Sequence, residues 1–131
     1  MHHLDTSTVV AFLRGDAHVA EQIARAGPRT VISTPVLAEL HHGIHASEKI
    51  ADNLAQLNEL IARITVIAFD EFAARTYGRI RHQLQSRGEL IGEMDLLIAS
   101  LALNHNAILV THNTKHFSRV PSLMIDDWVR T

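Results

Sequence analysis

The feature that most narrows the fold is an alternation. Short runs rich in β-branched and aliphatic residues, His2–Asp5, Thr30–Ser33, Ile64–Phe69, Ala107–Thr111 and Leu123–Asp126, read as strands. Between them lie longer stretches with helical spacing: Thr8–Leu13, His18–Ala26, Val36–Ala46, Ile50–Ala62, Phe72–Arg87 and Met94–His105. Leu54, Leu57, Leu60 and Ile61 mark one face of such a helix. Strands separated by helices require βαβ crossovers. The expected architecture is therefore an α/β domain of three layers, a mostly parallel central sheet flanked by helices, with the last strand at an edge. Boundary chemistry agrees. Thr34-Pro35 places a capping hydroxyl before a proline at the first helical position, Asp70 caps the helix starting near Glu71, and Gly27-Pro28 and Arg87-Gly88 act as stops.

At 131 residues one domain, spanning 1–131, is expected. Apolar residues at 47% against 20% charged suit a globular core rather than disorder. The net charge of -2 advertises no bulk affinity for nucleic acid, so any such binding must come from a local patch. The absence of cysteine excludes a disulfide framework, thiolate zinc sites and a Cys nucleophile. Met1-His-His-Leu-Asp5 lacks the cationic and apolar regions of a signal peptide. The apolar run Leu96–Leu103 is far too short for a membrane span. A cytoplasmic protein without membrane contact is the expectation.

Ligands of open α/β sheets bind outside the carboxyl ends of the strands. After the first strand comes Asp5-Thr6-Ser7. After the second comes Ser33-Thr34-Pro35, with Glu39 about a turn further on. Gly92-Glu93-Met94-Asp95 opens the apolar helix, and Thr111-His112-Asn113 follows the fourth strand. Each acid also has a purely structural use, Asp5 as a helix cap and Asp95 as a charge complementing a helix N-terminus. Glu39 fits that use less well, since Val36, Leu37, Leu40 and Ile44 make its helix largely apolar.

Like charges about 4 Å apart repel by roughly 4 kcal/mol at an effective dielectric near 20. Carboxylates gathered at one edge therefore require a proton, a cation or a basic partner. Oxygen donors suit Mg²⁺ or Mn²⁺ better than zinc, and the natural substrate of such an ion is a phosphate ester. The chemistry points to phosphodiester hydrolysis.

These residues resemble those of PIN-domain ribonucleases, more narrowly VapC-type toxins of bacterial toxin–antitoxin pairs. The resemblance runs through Leu4-Asp5-Thr6-Ser7, Ser33–Leu40 with Gly43, Ile91–Ala99, Ile108–Asn113 with Phe117, and Ile125-Asp126-Asp127-Trp128. It covers essentially the whole chain in order. It implies a Mg²⁺- or Mn²⁺-dependent endoribonuclease that forms a homodimer and is neutralised by a cognate VapB-like antitoxin. Asp5, Glu39 and Asp95 match the metal-binding acids, and Asn113 matches a position that carries Asp or Asn. Direct DNA binding is expected of the antitoxin rather than of this chain. Two departures stand out: Ser7 where such proteins more often have Asn, and His116 where they often have a further acid. Glu93 is a candidate to replace the missing charge.

Two histidine pairs, His41 with His45 and His112 with His116, have the four-residue spacing that puts ligands on one helix face. His112, His116 and Lys115 flank the expected site and are candidates for substrate phosphate contact or proton transfer. Arg75, Arg79 and His82 form a stripe opposite Phe72, Tyr77 and Ile80, a solvated face or an RNA-guiding one. Rival chemistries lack their signatures. There is no Gly-rich Lys-Ser/Thr loop, no Gly-x-Ser-x-Gly elbow, and no second acid two residues after Asp5. The alternative is a catalytically degenerate domain of the same fold that binds protein or RNA without cutting it.

Overall fold

The structure, a computed structural model, describes residues 1–129. Its elements in chain order are β1 (His2–Leu4), α1 (Thr6–Leu13), α2 (Ala17–Ala26), a 3-10 turn (Gly27–Arg29) and β2 (Thr30–Ser33). Next come α3 (Thr34–His45), α4 (Ile50–Ile61), β3 (Thr65–Ile67) and α5 (Glu71–Ser86), and then α6 (Glu93–Asn104), β4 (Ile108–Val110), α7 (Thr114–Phe117) and β5 (Met124–Asp126). Every strand pairing is parallel, in the order β3-β2-β1-β4-β5. The expected α/β sheet with β5 at its edge is thus what forms.

Side chains alternate across a strand, so burial of consecutive residues reveals cover on both faces. All four residues of β2 are buried, as are His3 and Leu4 in β1 and Leu109 and Val110 in β4. Leu4, Ile32 and Leu109 from the sheet meet Leu57, Ile80, Leu84, Leu96, Ile98 and Phe117 from the helices in one core. Helix α6 is apolar nearly all round and correspondingly sunk, with Leu96 and Ile98 through Ala102 all buried. Its one buried hydroxyl is satisfied internally, Ser100 Oγ donating to the Leu96 carbonyl at 2.6 Å.

Local chemistry explains the element ends. Asp70 caps α5 by accepting from the Ala73 amide at 2.9 Å, and Gly27 and Gly88 follow α2 and α5 with φ of 58° and 67°, where a side chain would be strained. The cap of α3 differs from the expectation. Ser33, not Thr34, accepts from the Val36 amide, and Pro35 therefore lies at the second helical position. The Thr34 hydroxyl instead accepts from the Phe69 amide at 3.1 Å, tying the loop after β3 to the start of α3. Phe72, expected on the inner face of α5, is 54% exposed and stacks under Arg75, because Ala73, Ile80 and Leu84 already fill that face.

One buried polar group carries a pH signature. His3 is buried on β1, its Nε2 lies 3.2 Å from His105 Nδ1, and burial, then the neighbouring His105, lowers its pKa to about 4. The unfolded chain holds a proton there below about pH 6.5, so the folded state loses stability as pH falls from 6.5 toward 4. The stake is at most about 3 kcal/mol. Urea unfolding between pH 7.5 and pH 5 should show this decline, and His3→Leu should flatten it. An identical slope in His3→Leu assigns the pH dependence elsewhere.

Candidate active site

Strand order reverses at β1. The chain steps outward through β2 and β3, then returns to add β4 and β5 on the other side of β1. Crevices of open α/β sheets lie at such reversals, outside the carboxyl ends. Asp5 leaves β1 at this point and Thr111 leaves β4 beside it, with the Asp5 amide donating to the Val110 carbonyl at 2.8 Å.

Asp5 sits at the N-cap position of α1 and is buried, yet its side chain makes no capping bond. Its Oδ2 instead accepts from Thr111 Oγ1 at 2.7 Å and from Ser7 Oγ at 3.2 Å. That geometry removes the capping role and fixes the carboxylate across the β1–β4 junction. Thr8 Oγ1 reinforces the junction by donating to the Val110 carbonyl at 2.9 Å. Glu39, half-buried on α3, accepts from Thr6 Oγ1 at 2.6 Å. Asp95 lies in the first turn of α6, half-buried, and its carboxyl is pushed up from the ordinary value. Desolvation is the largest cause, and the Asp5 and Glu39 charges add to it. The three acids scattered through the sequence are thus electrostatic neighbours.

The remaining candidates divide. Asn113 Nδ2 lies 3.0 Å from His116 Nδ1, and that ring nitrogen is 3.8 Å from Asp95 Oδ2. The Asn113 amide donates to Thr111 Oγ1 at 2.9 Å, so one threonine positions both Asp5 and the Asn113 backbone. His112 precedes α7 and does not share a helix face with His116, whatever their spacing. Its backbone amide donates to Ser7 Oγ at 3.1 Å, and its Nδ1 lies 3.0 Å from Asp127 Oδ2. Lys115 is exposed on α7. Glu93 is exposed and engaged elsewhere: Arg81 Nη1 donates to both its carboxylate oxygens at 2.7 Å and to Tyr77 Oη at 2.7 Å. It ties α6 to α5 and supplies no charge to the cluster. His41, half-buried, and exposed His45 lie toward the end of α3.

The supporting groups that sequence reasoning missed are Thr111 and Thr6 as hydroxyl donors, Asp127 behind His112, and Arg81 behind Glu93. Thr6 and Thr111 do carry a signal, since each directly follows or adjoins a strand end. The Asp127 and Arg81 pairings carry none.

The donor set fits a divalent cation. The Asp5 and Glu39 charges both reach Asp95, and neither Asp5 nor Glu39 is ion-paired among the described residues. Among those residues no three histidine or acidic side chains stand close enough together to hold a metal ion without moving. That is the behaviour expected of like charges, with Asp5 and Glu39 held apart by their own hydroxyl donors.

A sequence model described as the PIN domain matches residues 3–123. Ribonuclease VapC2 of Rickettsia felis is 42% identical over 97 residues, which cover 74% of this chain and 72% of the relative. The tRNA(fMet)-specific endonuclease VapC of Salmonella typhimurium is 33% identical over 126 residues, 95% of this chain and 96% of the other. Among solved structures, a chain of the DNA-bound VapBC complex from Salmonella typhimurium superposes with a TM-score of 0.94. Its identity is 32%, and the alignment covers 98% of each chain.

Proposed function

This chain belongs to the PIN domain family, and on that footing we propose that it is an endoribonuclease, the toxin of a toxin–antitoxin pair. The observation that carries the reading is the nearness of Asp5 and Glu39 to Asp95, whose carboxyl is pushed up by burial first and by those two charges next. Asp5, Glu39 and Asp95 would hold Mg²⁺ or Mn²⁺. Bound there, such an ion supplies the positive charge that a phosphodiester and its leaving oxygen require.

The chain's own groups do the orienting. Thr111 and Ser7 aim Asp5, and Thr6 aims Glu39, so two of the three carboxylates have their rotamers set before substrate arrives. Asn113, fixed through its amide to Thr111, presents an uncharged donor and acceptor at the rim for water or a phosphate oxygen. Lys115 and His112 stand on the same rim as candidate backbone contacts.

The partner is a VapB-like polypeptide. Between α1 and α3 a groove of about 320 Å³, lined by Thr6, Val10, Leu13, Arg14, Glu39 and Leu40, leads to the Glu39 carboxylate. Its apolar floor suits an extended or helical segment, and an Arg or Lys from that segment would replace the cation's charge among the acids. A homodimer and a cytoplasmic setting belong to the same proposal. Among the described residues no helix is long and apolar enough to cross a membrane.

The test is cleavage of a mixed tRNA and structured-RNA pool by the chain freed of its partner. Cutting is expected with Mg²⁺ or Mn²⁺ and not with EDTA, and should return when metal is restored. Folded, partner-binding protein that cuts under none of these conditions would establish the degenerate binding module instead.

A further inference from the structure

We propose that His116 is a ligand of the site's cation and that the site therefore prefers a first-row transition ion to Mg²⁺. The inference rests on the metal-dependent reading above and concerns this chain's own departure from an all-oxygen donor set. His116 is carried on α7 by Phe117, whose side chain is fully buried. Its Nδ1 lies 3.0 Å from Asn113 Nδ2. With the amide nitrogen donating, Nδ1 accepts and the neutral ring carries its proton on Nε2. The neutral ring is the form a metal takes, and the Asn113 amide gives up this lone pair when the cation enters.

The 3.8 Å from this nitrogen to Asp95 Oδ2 is too long for a hydrogen bond. Two donors that each reach one cation at about 2.1 Å stand roughly 3.0–3.4 Å apart at octahedral or tetrahedral angles, so a closure of a few tenths of an ångström brings both onto it. The other histidines of the rim and sheet are committed differently. His112 Nδ1 faces Asp127, and His3 and His105 face each other inside the fold. Glu93, the carboxylate nearest in sequence to Asp95, is held by Arg81. His116 therefore adds an imidazole nitrogen beside the three acids, next to the uncharged amide of Asn113. Mg²⁺ demands oxygen and sheds water reluctantly, whereas imidazole suits first-row transition ions.

Mn²⁺ is the probe, titrated into the full chain and followed by electron paramagnetic resonance, with pulsed measurement of nitrogen coupling and Mg²⁺ as competitor. The wild type should show imidazole ¹⁴N coupling, and His45→Ala should keep it. His116→Asp should lose that coupling and shift the Mn²⁺/Mg²⁺ preference toward Mg²⁺ by about tenfold, the lower end of effects seen when a metal site's surroundings change. Mn²⁺ that binds and is lost in Asp5→Asn, yet shows no ¹⁴N coupling, overturns the role of His116 and leaves the metal site standing. Coupling that survives in His116→Asp overturns that role equally. Mn²⁺ that fails to bind, or binds equally to Asp5→Asn, overturns both.

Discussion

Asp5→Asn is expected to abolish RNA cleavage while leaving the protein at least as stable as the wild type without metal. The substitution is isosteric, and the new carboxamide oxygen still accepts from Thr111 Oγ1, which now lies 2.7 Å from Asp5 Oδ2. What disappears is one negative charge from a crevice where Asp95 is already disfavoured as an anion, in part by Asp5 itself. Relieving that repulsion favours the empty fold. The same charge is what a cation and, through it, a phosphate ester would need, so the activity should fall by about a thousandfold, equivalent to roughly 4 kcal/mol of barrier. Cleavage assays and urea unfolding in EDTA, run on the same preparations, separate the two effects. A folded Asp5→Asn that still cuts RNA at near wild-type rates would move the catalytic centre elsewhere. A variant markedly less stable than wild type in EDTA would show that Asp5 serves the fold first.

Phe117→Ala should cost the most stability of any single truncation near the site. Phe117 has no exposed surface and lies in the core cluster. Truncating such a ring typically costs about 3–5 kcal/mol. Helix α7 has only four residues, too few to hold itself together, so its position depends on that ring. Losing it frees Asn113 and His116, and displacement of about 1 Å at a reacting centre can cost a hundredfold in rate. Phe117→Leu should recover most of both losses. A destabilisation below about 1 kcal/mol in Phe117→Ala, by denaturant titration, would refute this account of how α7 is held.

Much of this was legible in the chain itself, and the exceptions share a cause. The strand runs, their helical connections and the stops at Gly27 and Gly88 are local features, and each forms where local chemistry puts it, with ends shifted by a residue or two. The convergence of Asp5, Glu39 and Asp95 follows from topology once the sheet is parallel. What could not be read depends on which distant surfaces meet. Asp5 fits a cap and a ligand equally well until Thr111, 106 residues later, is brought beside it. Glu93 looks like a spare ligand until α5 lies against α6 and offers Arg81. Helix α7 is too short to show a period, and only the burial of Phe117 makes it a helix. At α3 two adjacent hydroxyls competed for the cap, and Thr34 was drawn away by the Phe69 amide.

The placement of β1 at the middle of the sheet also governs when this protein can first act. Its neighbours are residues 30–31 on one side and 108–110 on the other. The second pairing cannot form until residues 108–110 have left the ribosome, and closing so wide a loop makes folding slow. Asp5 acquires Thr111 only at that step, so an unfinished polypeptide carries its first acid unaimed. A nuclease assembled in this order stays harmless to the message and ribosome that are producing it, and truncated translation products should be inert.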